Sequence, residues 1–570
     1  MYAAVAPILR MPRGTGLFDY AIPERIAPAV TRGSIVLVPW RGKKTPGLVF
    51  GVRERPDIPA ARVKPMLDVP PIAFLPEDLV ATIEAMALET FASSETVAQA
   101  FLPQFLKKMT APASLAAPAA AAKKIERRLI RYRTAEEKWR RTEDSVRIAL
   151  SDRRSAIIVV PHSDDVAAAA VRLKKNFGDA KLVALHGDTA SAGYRKAWLS
   201  CAEPGTPVVI GTRVAVMAPT PNPGLIAIHE SDSPDLQQYD QNPRYDVRMA
   251  AARRAELAGA DLLMMSRFPR LEEYALAAGG SLTFGDDRPA ASARLVDISS
   301  SAPSALDKIL SPAAMEAMEK ALQSQKKVIL FHNRRGTASA LMCKDCRHVF
   351  RCPTCETAFI ISGDKLECRR CRRTETVPAV CPKCSGAGLR QIGRGTVSIE
   401  RELAARFPDR RIARIDADQP ASDIEATLGA CDIAVGTMQL IHALAELRAD
   451  NHDIGAVIAT SIDDLTAFSG FRGQERAART IAIMADIAAE TGAEFMAQCL
   501  GPDQPRIRNL LRDYRVFAGA EIAERTRAGY PPAAELVVLT AVGESEEAAR
   551  LEAARVRGLI EAIVSGGGCE

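Results

Sequence analysis

The sequence predicts an α/β protein built from two parallel-sheet lobes, with a small β-rich domain ahead of them and a metal-binding insertion in the second lobe. Three features point there. Two series of compact apolar runs alternate with helical segments, as strands buried on both faces of a parallel sheet require. The first fifty residues instead show short runs punctuated by Pro and Gly. Eight of the twelve cysteines fall between Cys343 and Cys384, as four consecutive CxxC pairs.

In chain order, VAPIL, LFDYAIP, GSIVLVPW and GLVFGV read as strands of the N-terminal domain, residues 1–105. From about residue 76, apolar residues recur at three- and four-residue spacing, the period of an amphipathic helix. TAPASLAAPAAAAKK reads as an Ala/Pro linker over 106–125. The first lobe, 126–284, draws its strands from AIIVVP, KLVALHG, PVVIGT, LIAIHE and DLLMMS. After a Ser/Pro/Ala-rich joint near 285–305, the second lobe takes KVILFHN, RIARIDAD, CDIAVGT and IGAVIAT, over 285–342 and 385–500. The cysteine segment, 343–384, interrupts it after its first strand. The tail, 501–570, reads as one strand, AELVVLTAV, a charged amphipathic helix and GGGCE.

At 570 residues the chain is too long for one core. Hydrophobic content of 47% and charged content of 25% are those of an ordinary globular protein. The net charge of +6 permits a nucleic-acid partner without demanding one. No apolar leader or long apolar span is evident, which predicts a reduced, cytoplasmic protein with no membrane partner. Cys201, Cys431, Cys499 and Cys569 are scattered and read as small apolar residues or surface thiols.

A CxxC turn places two thiolates on one side of a tight loop, and two such turns complete the four-thiolate cage that zinc prefers. Eight ligands suffice for two Zn2+. A reducing compartment argues against a disulfide framework, and a redox motif needs only one pair. An iron–sulfur cluster remains a second possibility. The basic surroundings, Lys344, Arg347, Arg369, Arg370, Arg372, Arg373 and Lys383, suit a surface zinc ribbon better.

Further landmarks are VVP followed by LHGD and YRKAW, then VVIGTRVAVMAP, PRYDVR, VILFHNRRGTASALMCKDC, GRGT, RIDAD, FRGQER and DYRVFAGAEIAERTRAGYPP. In this order, and with this cysteine spacing, the chain resembles the primosomal protein N′ (PriA) family of replication-restart helicases, superfamily 2. The resemblance implies two RecA-like lobes, a zinc-ribbon insertion and a C-terminal α+β domain that is truncated here. It implies that Cys343, Cys346, Cys381 and Cys384 share one ion, and that Cys352, Cys355, Cys368 and Cys371 share the other. The winged-helix domain usual in the family has only the Ala/Pro linker in its place.

A helicase of that family needs GxxxxGK[ST], whose backbone N–H groups cradle phosphate. The matching segment here, Tyr132-Arg-Thr-Ala-Glu-Glu-Lys138-Trp139, keeps the lysine but no glycine, and a tryptophan replaces the magnesium-binding hydroxyl. The family's acidic box falls on His229-Glu230-Ser231-Asp232. Glu230 occupies the water-activating place, and His229 replaces the magnesium-holding carboxylate. The coupling motif reads Ser266-Arg267-Phe268-Pro269 without its threonine, and Ile487 to Ala493 lacks both arginine fingers. Lys138 and Glu230 are therefore a vestigial nucleotide site, no catalytic residue is assigned, and ATP and Mg2+ are not expected as cofactors.

The resemblance also implies that the N-terminal domain captures a 3′ DNA end with Phe18, Asp19, Tyr20, Gly33 and Lys64. An aromatic ring can stack a base, a carboxylate can accept from the 3′-hydroxyl, and lysine can pair with phosphate. Arg41, Lys43 and Lys44 add a basic turn. The expected function is primosomal replication restart, binding DNA forks and 3′ ends without helicase activity. The expected protein partners belong to the primosome and replisome, with single-strand-binding protein among the candidates. The alternatives are an active ATP-dependent 3′→5′ DNA helicase and a zinc-ribbon interaction scaffold without DNA binding.

Overall fold

The computed structural model describes residues 1–9, 16–69, 75–102, 125–178, 180–187, 191–203, 205, 207–239, 242–285, 293–298, 309–333, 340–346, 348, 350, 352–353, 359–362, 365–368, 373–392, 396–416, 423–446, 453–462, 465, 471–499, 508, 511, 513–537, 539 and 541–565. Two compact units divide the chain, Met1–Phe517 and Ala518–Glu570. The Ala/Pro linker, Cys355 and Cys371 lie outside the described residues.

The first unit opens with β1 (Tyr2–Pro7), β2 (Phe18–Ala21), β3 (Ile35–Trp40), β4 (Lys43–Arg53) and β5 (Lys64–Pro65). They form a sheet in the order β3-β4-β1-β2-β5, antiparallel except for β2 with β5. Alternation along β1 sends Val5 into one small core and Ala6 into a different, larger one. Two helices, Glu77–Glu89 and Ser94–Phe101, follow as their apolar spacing predicts.

The first lobe contributes β6 (Arg127–Arg131), β7 (Ser155–Val159), β8 (Leu182–Leu185), β9 (Val208–Gly211), β10 (Pro223–Ile228), β11 (Asp261–Ser266) and β12 (Thr283–Gly285). Their order is β12-β6-β11-β10-β7-β9-β8, parallel throughout. The second lobe begins with β13 (Arg294–Asp297) and β14 (Lys327–Phe331). The insertion then supplies β15 (Ala340–Cys343), β16 (Ile360–Ser362), β17 (Lys365–Glu367), β18 (Thr374–Thr376) and β19 (Leu389–Ile392). The lobe resumes with β20 (Ile412–Ile415), β21 (Ile433–Gly436), β22 (Ile454–Ala459) and β23 (Glu494–Cys499). Its parallel sheet runs β13-β23-β22-β14-β21-β20, and the insertion forms a separate antiparallel sheet, β18-β17-β16-β15-β19.

The apolar runs read from the sequence are strands in both lobes. Four further strands lack an unbroken apolar run. In β6, RRLIR, the charged heads find partners: Arg128 donates to Ser145 Oγ at 3.1 Å and Arg131 to the Arg267 carbonyl at 2.9 Å. In β23, buried Gln498 binds the Ser311 amide at 2.7 Å and the Ile309 carbonyl at 2.6 Å. β12 and β13 are short strands at the outer edges of their sheets.

The tail departs from expectation. AELVVLTAV forms no strand among its described residues, and Leu536, Val537, Leu539 and Val542 are exposed. An extended run with no neighbouring strand leaves its amides to water, so pairing has nothing to stabilise it. The helix Glu546–Ser565 forms as expected, with Ser545 Oγ accepting from Ala548 N at 3.1 Å.

One apolar core joins the N-terminal domain to the first lobe, from Leu48, Leu79 and Ile83 through to Trp198, Ile226 and Ala251. Arg254 sits at this junction with 0% of its side chain exposed. It donates to Asp78 at 2.9 Å, to the Val216 carbonyl at 2.5 Å and to Thr220 at 3.4 Å. Removing one partner of a buried pair strands the other charge. Arg254→Ala should therefore cost about 3–5 kcal/mol in chemical denaturation. Arg253→Ala, which breaks the exposed pair with Glu89, should cost no more than about 1 kcal/mol.

Candidate metal centre and nucleic-acid interface

The metal centre grows from two turns pinned by the β15–β19 pairing, in which Cys343 lies opposite Leu389. Cys343 N donates to the His348 carbonyl and Lys344 N to that of Gly388. On the second turn, Cys381 N donates to the Gly386 carbonyl and Ser385 N to that of Cys381. A side chain at Gly386 would place its Cβ 2.1 Å from the Asp345 carboxylate, which would have to turn aside to admit it. The four sulfurs of Cys343, Cys346, Cys381 and Cys384 lie within 4.8 Å of one another. The Cys343–Cys384 and Cys346–Cys381 separations are 3.5 and 3.6 Å. A tetrahedral Zn–S distance near 2.3 Å requires sulfurs about 3.8 Å apart, so this set fits a four-thiolate ion. Cys352 and Cys368 are brought into one small buried cluster with Leu341, Phe350, Phe359 and Leu366.

In the N-terminal domain, alternation along β2 divides the candidate DNA residues between two faces. Tyr20 is 4% exposed and its hydroxyl donates to the Pro39 carbonyl at 3.4 Å. Phe18 is half-buried and meets Trp40 edge-on at 4.6 Å. Asp19 has a side chain only 3% exposed. Its carboxylate accepts from Arg53 and from Asp57 N, the latter at 2.7 Å. Lys64, opposite Tyr20 in the β2–β5 pairing, is exposed. Gly33, at φ 89°, takes the left-handed turn before β3, and its backbone bonds go to Val49 and Leu75. Thus Tyr20 and Lys64 are neighbours, Phe18 joins Trp40, and Asp19 is engaged by Arg53. Arg41, Lys43 and Lys44 stand exposed on the β3–β4 hairpin, beside Trp40.

The segment expected to be a vestigial nucleotide site runs from β6 straight into the helix Ala135–Ser151, and its polar groups bond within the chain. Thr134 caps the helix, accepting from Glu137 N at 3.1 Å, while Glu137 accepts from Arg133 N at 2.9 Å. Glu136 pairs with Arg172 at 2.7 Å. Lys138 and the Tyr132 hydroxyl both donate to Glu230. Glu230 holds a left-handed φ of 48°, unusual for a side chain of this size. His229 is buried, with Nε2 2.8 Å from Thr142 Oγ1 and its ring 4.7 Å from that of Trp139. Burial, aided by the Lys138 charge, holds its pKa well below the usual range, so it stays neutral.

The other segments expected to be degraded motor motifs are packed into the fold. Ser266 donates to Asp232, and Phe268 is buried 5.3 Å from the Tyr514 ring. Ile487 and Ala488 are buried in the second lobe, and Gly492 closes their helix at φ 68°. Sequence reasoning missed what Arg472, Glu475 and Tyr514 touch, although FRGQER and DYRVF were landmarks. Their contacts with the first lobe are what position them.

Residues 8–103 match the family model of the 3′ DNA-binding domain, 3′BD, of PriA. Replication restart protein PriA of Synechocystis is 28% identical over 419 residues, covering 69% of this chain and 50% of that protein. The Bacillus subtilis protein is 27% identical, covering 73% and 53%, and that of Thermotoga maritima is 28% identical, covering 70% and 54%. Its curated relatives are replication restart proteins. The chain spans about half the length of the PriA proteins it matches. Among solved structures, RecG bound to a three-way DNA junction aligns at 14% identity with a TM-score of 0.36, over 72% of this chain and 45% of that one. Likeness at that level adds nothing to the fold described above. No described helix is long and apolar enough to cross a membrane.

Within the PriA-like acidic box, Ser231 leads to a titratable group. Its hydroxyl donates to Glu273 at 3.2 Å, and Arg270 N donates to the same carboxylate at 3.0 Å. Burial pushes Glu273 up to about 7, only partly offset by Arg270 and Arg248. The folded state therefore binds this proton more tightly than the unfolded chain does. Stability contributed by Glu273 is fully present below about pH 4.3 and is lost as pH rises through about 7. Glu273→Gln should accordingly gain thermal stability relative to wild type at pH 8, with a smaller gain or a loss at pH 5.

Proposed function

We propose that this chain is a replication-restart protein of the PriA kind, binding DNA forks and 3′ ends and supporting primosome assembly without helicase activity. One observation carries the loss of the motor. The lysine and glutamate expected to face ATP are paired with each other, and Tyr132 donates to the second oxygen of Glu230. A nucleotide would have to break a partly buried ion pair and enter a helix terminus already capped by Thr134 and Glu137. No glycine is present to let backbone amides approach phosphate. Both arginine fingers are missing, and losing one alone costs about 10³–10⁵ in rate in other nucleoside triphosphatases.

The match of residues 8–103 to a 3′ DNA-binding domain supports DNA as the ligand. Phe18 with Trp40 offers a half-buried aromatic pair, and Lys64, Arg41, Lys43 and Lys44 offer exposed charge for phosphate. Asp19 is the residue to bond the 3′-hydroxyl, through lone pairs left beside Arg53 and Asp57 N. Zinc is the ion for Cys343, Cys346, Cys381 and Cys384. A second Zn2+ belongs to Cys352, Cys355, Cys368 and Cys371. The chain acts in the cytoplasm, where these thiols stay reduced. Primosome and replisome proteins, including single-strand-binding protein, are its partners at the insertion.

DNA-stimulated ATP turnover by the zinc-loaded chain should stay at background, whereas turnover of about one per second, abolished by Lys138→Ala, would overturn the reading. The same preparation should bind a fork bearing a free 3′-hydroxyl better than one with a blocked end, and Asp19→Ala should erase that preference. Lys64→Ala should reduce the slope of log affinity against log salt by about 1. No fork binding at all would favour the interaction scaffold instead. Elemental analysis should find two zinc ions per chain, falling to one in Cys343→Ser.

A further inference from the structure

The cleft between the two lobes is crossed by bonds from one helix of the second lobe and from Tyr514, which follows that lobe in the chain. Arg472, at the head of the helix Gly473–Thr491, donates to Glu272 of the first lobe. Glu475 on that helix is buried and accepts from Leu271 N at 3.2 Å. One turn later, Arg479 approaches the Asp232 carboxylate at 3.7 Å and Glu475 at 3.5 Å. Tyr514 donates to the Pro269 carbonyl at 3.2 Å and packs its ring against Phe268 and Tyr274. The Glu272 carboxyl sits low, about 2, because bonds from Arg472 and the charge of Arg270 overcome the burial that would raise it.

Every first-lobe residue in this set lies in or just after a degraded motor motif: Asp232 ends the acidic box, Phe268 stands where the coupling threonine would be, and Pro269, Leu271, Glu272 and Tyr274 come directly after it. In a two-lobed motor those segments must let go of the other lobe once per cycle. Here they are bonded to it. We propose that these contacts form a latch that holds the two lobes closed whether or not a nucleotide is added. Shifting an open–closed equilibrium from 1:99 to 99:1 takes a factor of about 10⁴. Three hydrogen bonds and the longer Arg479–Asp232 ion pair, worth up to about tenfold each, approach that. Since the N-terminal domain shares a core with the first lobe, the latch also holds it in place relative to the second lobe. The inference is independent of DNA binding, so a failed fork assay leaves it standing.

The test places a donor and an acceptor dye, through encoded azido residues that spare the cysteines, at the exposed positions of Val171 and Val397. Single-molecule energy transfer on the full zinc-loaded chain should show one narrow population, unmoved by a non-hydrolysable ATP analogue with magnesium. Arg479→Gln should raise an open population at least about tenfold. Arg472→Gln, at the more exposed edge of the cluster, provides the same reading if the first variant fails to fold. The exposed Arg147→Ala should leave the distribution unchanged. A wild-type distribution that is broad, or that shifts with nucleotide, would overturn the latch, as would latch variants indistinguishable from wild type.

Discussion

Charge that is taken out of water must find its counter-charge inside the chain, and this constraint organises the protein at each of its joints. Arg254 and Asp78 meet where the N-terminal domain joins the first lobe. Lys138 and Glu230 meet at the mouth of the first lobe's sheet. Arg472 and Arg479 meet Glu272 and Asp232 between the lobes. Leaving the deeply buried Asp78 unpaired would cost several kcal/mol, about the penalty of a buried, uncompensated charge. In each case both members of the pair come from this chain.

Much of the fold was legible in the sequence because its strands are apolar on both faces, so each one reads as a compact run. AIIVV and VILF need no partner in view to be recognised. RRLIR, by contrast, is a strand only because Arg128 and Arg131 reach Ser145 and the Arg267 carbonyl, and no period or propensity displays that. EFMAQC hides in the same way behind Gln498, whose amide serves the loops before Pro312 and after Ala459. The tail misled for the opposite reason. Its apolar run is genuine, but a strand is defined by a neighbour.

The metal centre was the most legible site, because ligand spacing is local: Cys343 and Cys346 belong to one turn, Cys381 and Cys384 to another. The residues proposed to meet a DNA end were less so. Phe18, Asp19 and Tyr20 are consecutive in sequence, but the pleat of β2 sends Asp19 to the side opposite its neighbours. The lobe contacts were least legible, since Glu272 and Arg472 are separated by 200 positions. FRGQER and DYRVF stood out as landmarks, yet nothing local told which surface their side chains would reach.

The shared apolar core has a practical side. Leu79, Ile83 and Met86 pack directly on Ala250, Ala251 and Ala255 of the first lobe, so the seam between domains is as dry as a domain interior. Cutting the gene at the Ala/Pro stretch to prepare the lobes separately would strip that seam. It would leave a greasy helix face, with a naked guanidinium in its middle, open to solvent. Such fragments would clump, and the N-terminal portion is better studied still attached to its neighbour.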